Sequence, residues 1–213
     1  NEFDTLLFAA RDIKEISIPP NITKISDYAL SNCTNLLKFE IPKNSNLQKI
    51  GEYAFSDSNL KEIYIPPSVL QICGGAFYNC KNLKKVEIPK NSNLQKIGAS
   101  AFHYTEIEEI YIPSTVSMIC EDTFSFCGNL KKVEIPENSN LQIIGRNAFE
   151  KTMIEEIYIP EKLTKLEEGW CNDTKNLKTV KISPLNDQFQ LKENKYLIGK
   201  SDTNSNEFDT LLF

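Results

Sequence analysis

The chain has 213 residues, 40% of them hydrophobic and 25% charged, which supplies ample material for a core and gives no compositional sign of disorder. Its net charge of −5 argues against a polyanionic partner such as nucleic acid. The longest apolar run, Leu6 to Ala10, is far short of the roughly 20 residues a membrane helix needs.

In chain order, residues 1–12 read as an N-terminal edge strand, and a repeat begins at residue 13. Isoleucine–proline recurs at Ile18-Pro19, Ile41-Pro42, Ile65-Pro66, Ile88-Pro89, Ile112-Pro113, Ile135-Pro136 and Ile159-Pro160, in alternating steps of 23 and 24 residues. A degenerate copy stands at Ile182, with its proline displaced to Pro184. Within one unit, Ile63 and Ile65 share one face of a strand, and Pro66 ends it because it offers no amide to a ladder. A short apolar pair, Val69 and Ile72, comes next; Ala76, Phe77 and Cys80 then stand at near-helical spacing and predict a short helical turn. The longer units carry an extra residue just after the proline, within Asn44-Ser45-Asn46, Asn91-Ser92-Asn93 and Asn138-Ser139-Asn140, where a turn can absorb it.

No unit of this length buries both of its apolar faces alone, but stacked units do. Residues 13–182 are therefore expected to form a right-handed α/β solenoid of about eight coils, with a parallel sheet on one face and short helical turns on another. Residues 183–213 read as a degenerate C-terminal coil followed by a β-hairpin built from Lys195–Lys200 and the final FDTLLF. The octapeptide NEFDTLLF occurs at 1–8 and again at 206–213, which points to a module of a longer tandem array or to matching cut points, and to an unsealed edge open to head-to-tail association.

The unit resembles the BspA-like, Treponema-type leucine-rich repeat. That pattern is carried by Ile50-Gly51 with Ala54-Phe55, Ile97-Gly98 with Ala101-Phe102, Ile144-Gly145 with Ala148-Phe149, and Ala76-Phe77 with Cys80. The shorter units depart from it, with Ser26, Cys73, Cys120 and Glu167 in place of the glycine, and Trp170-Cys171 replaces alanine–phenylalanine at the far edge. The resemblance implies a non-enzymatic protein-binding module of a cell-surface adhesin that attaches to host matrix or cell-surface proteins. The alternatives are a cytoplasmic scaffold for a protein partner and a spacer that only projects another domain.

Catalysis finds little support in the residues. The single histidine, His103, sits at a variable position expected to face solvent, and no nucleophile turn or phosphate-cradling glycine loop is present. Cys33, Cys80 and Cys127 form one column and Cys73 with Cys120 another, each at 47-residue spacing. They read as buried thiols between coils rather than disulfides or metal ligands, so no cofactor, metal or small-molecule substrate is expected. Sequons stand at Asn21, Asn32 and Asn172.

The outward column of the strands runs Ser17, Glu40, Tyr64, Glu87, Tyr111, Glu134, Tyr158, Lys181. Repeated aromatics on an extended face suit protein recognition, so the candidate binding residues are Tyr64, Tyr111 and Tyr158 with Glu40, Glu87 and Glu134. Beside them, Glu15, Lys38, Glu62, Lys85, Glu109, Lys132 and Glu156 set acid against base on neighbouring strands, predicting a ladder of cross-strand ion pairs.

Overall fold

A computed structural model describes residues 4–193, 196–200 and 210–211. The chain is a parallel β-solenoid of about eight coils, each closing on the next through a row of two-residue strands: Thr5–Leu6, Lys24–Ile25, Lys49–Ile50, Gln71–Ile72, Lys96–Ile97, Met118–Ile119, Ile143–Ile144 and Lys165–Leu166. These make one unbroken parallel sheet in register, with Ile25, Ile50, Ile72, Ile97, Ile119 and Ile144 stacked and fully buried. The second member of that apolar pair, Ile72, thus lies in the solenoid's continuous strand.

The strands ending at isoleucine–proline behave differently. They pair only two by two, as Glu15–Ser17 with Lys38–Glu40, Glu62–Tyr64 with Lys85–Glu87, Glu109–Tyr111 with Lys132–Glu134, and Glu156–Ile159 with Thr179–Ile182. The coil lengths locate the breaks. From face strand to continuous strand, Lys38 to Lys49 is two residues longer than Glu15 to Lys24. On the way back, Lys49 to Glu62 is one residue shorter than Lys24 to Lys38. The longer coil therefore gains two residues after its proline and gives one up before the next face strand, rather than inserting one. The breaks fall at those shortened approaches, before Glu62, Glu109 and Glu156.

The inserted loop is tied down by its serine. The Leu47, Leu94 and Leu141 amides donate to the hydroxyls of Ser45, Ser92 and Ser139 at 3.1 to 3.2 Å, and all three serines are buried. In the shorter coils the turn closes directly, as when the Val69 amide donates to the Pro66 carbonyl at 3.0 Å.

The third side corrects the expectation of helical turns: the described residues contain no helix. Ala76, Tyr78 and Cys80 donate to the carbonyls three residues back, while Gly75, Phe77 and Asn79 donate to Ala99, Ala101 and His103 of the next coil, each at 2.8 Å. Consecutive turns thus alternate with inter-coil bonds. Residues in the left-handed region recur four apart, such as Tyr53 with Asp57 and Asp122 with Phe126. A left-handed backbone costs about 1 kcal/mol or more for a residue with a side chain. Here most such amides also bond the adjacent coil, as Tyr53 does to Gly74 and Phe126 to Glu150.

Phe55, Phe77, Phe102, Phe124 and Phe149 stack nearly parallel, with centroids 5.1 to 5.6 Å apart. The glycines of the longer coils permit the close approach: a Cβ on Gly51, Gly98 or Gly145 would stand 2.5 to 2.7 Å from the backbone of Ser26 and Asp27, Cys73 and Gly74, or Cys120 and Glu121. The shorter coils dispense with glycine because they are the surface approached.

At the C-terminal end Tyr196–Gly199 pairs antiparallel with Phe189–Lys192 on one side and with Thr210–Leu211 on the other. The octapeptide copies enter this picture only through Thr5–Leu6, parallel to Lys24–Ile25, and Thr210–Leu211. Residues 1–3, 206–209 and 212–213 lie outside the described residues.

Candidate functional site: an interrupted sheet face

The candidate residues lie on the interrupted face. Its strands alternate Glu-Ile-Tyr in the shorter coils with Lys-Val-Glu in the longer ones, and the middle residue points inward: Ile63, Val86, Ile110, Val133 and Ile157 are buried. Outward, Tyr64, Tyr111 and Tyr158 are half-buried, while Glu40, Glu87 and Glu134 are exposed. Register places Tyr64 beside Glu87, Tyr111 beside Glu134 and Tyr158 beside Lys181.

Each break in the ladder opens a hollow with one tyrosine in its lining. The largest, about 860 Å³, spans the break between Lys85–Glu87 and Glu109–Tyr111 and holds Tyr111 with Glu87 and Glu134. A second of about 500 Å³ holds Tyr64 with Glu40 and Glu87, and a third of about 440 Å³ holds Tyr158 with Glu134. All six candidates therefore line one row of three hollows. Partial burial, and then the neighbouring carboxylate, push the Tyr64 and Tyr111 hydroxyls above the ordinary tyrosine range, with Glu87 acting on the first and Glu134 on the second.

The charged column has the anticipated register but different partners. Lys38, Lys85 and Lys132 reach along their own strands to Glu40, Glu87 and Glu134 at 2.5, 3.7 and 3.5 Å. Their opposite numbers Glu15, Glu62 and Glu109 make no ion pair within 4.0 Å among the described residues. A diagonal pair across strands joins Lys181 to Glu156 at 2.8 Å. Side chains two apart on one strand share a face, so a lysine can meet its own strand's glutamate directly. Lys38 is held above the usual lysine range first by its hydrogen bond to Glu40.

Elsewhere the chemistry is structural. All six cysteines are free, and Cys33, Cys73, Cys80 and Cys127 are buried. Cys80 and Cys127 donate to the carbonyls of Phe55 and Phe102 at 3.0 Å, and Thr174 does the same to Phe149. Ser58, Thr105 and Thr152 continue the column in the intervening coils, with Ser58 3.4 Å from Cys80 and Thr105 3.2 Å from Cys127. Reading cysteines alone missed this alternation of hydroxyl and thiol; matching residues across unequal coil halves would have found it. Burial pushes the Cys80 thiol up to about 11 and the Cys127 thiol to about 12.

His103 is half-buried rather than solvent-facing. It stacks on Tyr78 at 5.3 Å, its buried Nδ1 has no hydrogen-bond partner among the described residues, and burial lowers its pKa. It belongs to an aromatic run on the turn side, Tyr28, Tyr53, Tyr78, His103, Tyr104 and Phe126, that inspection of single units does not reveal. No group of three or more histidine, cysteine, aspartate or glutamate side chains that could hold a metal occurs among the described residues. No helix among them is long and apolar enough to cross a membrane. Of the sequon asparagines, Asn32 and Asn172 are exposed and Asn21 is half-buried.

The fold and its repeat define a leucine-rich repeat solenoid. Six copies of the family described as the BspA-type leucine-rich repeat region match residues 1–129 and 95–193, and the chain belongs to that family. Among solved structures it is similar to the pneumococcal vaccine antigen PcpA, at 25% identity and TM-score 0.66 over 92% of this chain and 47% of that one. A leucine-rich repeat protein of T. pallidum is 27% identical, with TM-score 0.53 over 62% and 58% of the two chains. A leucine-rich cell-surface protein of Faecalibacterium prausnitzii, 23% identical with TM-score 0.61 over 89% and 52%, shares the fold. This chain spans about half the length of these solved relatives. No curated protein matches it.

Proposed function

We propose that the chain is a non-enzymatic protein-binding module of a cell-surface adhesin, and that its interrupted sheet face meets proteins of a host matrix or cell surface. The observation that carries this reading is the row of three hollows, each with a half-buried tyrosine and exposed carboxylates. Tyrosine combines a large contact area with a polar tip, and repeated weak contacts along a rigid surface multiply. Similarity to a protein described as a vaccine antigen favours an outward-facing location.

Replacing Tyr64, Tyr111 and Tyr158 together with serine is expected to abolish attachment to immobilised matrix proteins while leaving the melting temperature within a few degrees. Unchanged attachment would rule out this face. The six free thiols favour a second reading, an intracellular scaffold working through the same surface in a reducing compartment. Surface labelling of intact cells of the native source separates the two, since a scaffold stays unlabelled.

A further inference from the structure

The octapeptide NEFDTLLF stands at both 1–8 and 206–213, and each copy places a two-residue strand against a different partner. Thr5–Leu6 runs parallel to Lys24–Ile25 of the first coil, whereas Thr210–Leu211 runs antiparallel to Tyr196–Gly199 of the hairpin. Both are end strands of their sheets, so among the described residues each has one edge filled and one edge open.

Successive residues of a strand turn their amide and carbonyl toward opposite edges. In the first copy the carbonyls of Asp4 and Leu6 accept from the Lys24 and Ser26 amides, at 3.2 and 2.9 Å, so Thr5 faces the open edge. In the hairpin the Lys200 amide donates to the Gln188 carbonyl at 3.3 Å, and by alternation Ile198 also faces Phe189–Lys192. Gly199 therefore faces the second copy, where its opposite number is Thr210. Thr210 turns its amide and carbonyl to the hairpin, and Leu211 faces the open edge. The two copies thus use opposite edges of one sequence: leucine bonds the coil and threonine bonds the hairpin. Had both partners claimed the leucine, one strand could not serve them together.

We propose that a second copy of this module joins the first through a single octapeptide strand, the last strand of one copy and the first of the next. Its threonine bonds the hairpin of the leading copy, and its leucine bonds the first coil of the following copy. The three-stranded C-terminal sheet then continues without a gap into the eight-stranded sheet of its neighbour. The hairpin is the adaptor: it presents an open strand edge on which a new coil can build. Leu7 and Phe8, 72% and 63% exposed beside the open edge of the first coil, are apolar surface that such a neighbour covers. The joint is independent of whatever the tyrosine-lined face binds.

Amide hydrogen exchange followed by NMR tests the joint in two samples. In the full chain, Leu6 is expected to exchange at least roughly tenfold more slowly than Thr5, and Thr210 at least roughly tenfold more slowly than Leu211. The second sample is a two-module chain in which residues 206–213 of one copy also serve as residues 1–8 of the next. There the joint threonine and the joint leucine are both expected to exchange at least roughly tenfold more slowly than Thr5 of the leading copy. The opposite order at either octapeptide of the full chain means that both partners claim the same edge, and overturns the proposal without any two-module protein. A joint at which either amide is as fast as the leading Thr5, or a two-module chain that does not fold, overturns it as well. None of these outcomes bears on the tyrosine face, whose test is the triple serine variant.

Discussion

The two sheets of this solenoid are built from the same coils and differ in continuity. On one side, two-residue strands run without a break through all eight coils, carrying fully buried isoleucines and abutting glycines with no room for a methyl group. On the other, longer strands part after every second coil and leave hollows lined by tyrosine and charge. The difference teaches that stacking is enforced from the crowded side, where any irregularity meets backbone. The roomier side can absorb the mismatch between coils of unequal halves, and there it leaves concave space.

That contrast can be broken most directly in the crowded interior. Phe102→Ala removes the centre of the ring stack and is expected to cost about 3–5 kcal/mol in denaturant unfolding. Gly98→Val sets a branched side chain where backbone atoms stand 2.5 to 2.9 Å from the Cβ position. It is expected to cost about 3 kcal/mol and lower the melting temperature by about 10 °C. Gly128→Ala, with nothing within 4 Å of the new carbon, should move stability by less than about 0.5 kcal/mol. Equal effects at Gly98 and Gly128 would contradict the close-approach account.

A middle-sized effect comes from pH. Cys80 and Cys127 ionise near 9.0 when unfolded but are held up to about 11 and about 12 in the fold. Between those values the unfolded chain loses thiol protons first, so the stability these groups contribute is complete below pH 9 and declines as pH climbs above it. The melting temperature of Cys80→Thr/Cys127→Thr should therefore fall less steeply above pH 9 than that of the parent chain. Threonine already serves the column at Thr105, Thr152 and Thr174. Parallel slopes would show that the buried thiols do not set the alkaline limit.

The smallest effect belongs to the open face. Lys85→Met breaks an exposed 3.7 Å pair and should change stability by less than about 0.5 kcal/mol. A large loss there would mean that the face, too, holds the coils together.

Much of this was legible in the chain. The isoleucine–proline repeat, the alternating step and the alanine–phenylalanine pair specified stacked coils because a period is preserved however each coil closes. The turn side was misread as helical because Ala76, Phe77 and Cys80 fall at spacings that consecutive hydrogen-bonded turns also produce. Gln71–Ile72 went unrecognised as a strand because two residues carry no alternation. Tyr64, Tyr111 and Tyr158 could be placed on one face from register, but the hollows around them could not.

What the sequence alone determined is that the units stack and which residues form columns, since identical apolar positions at a fixed period can be buried only against one another. Tertiary structure alone decided which columns touch. It turned lysine toward the glutamate of its own strand, drew glycine against the preceding coil and split one ladder while closing the other. Those outcomes depend on how unequal coil halves share their length around the circuit, a property of the closed coil in three dimensions that no linear spacing contains.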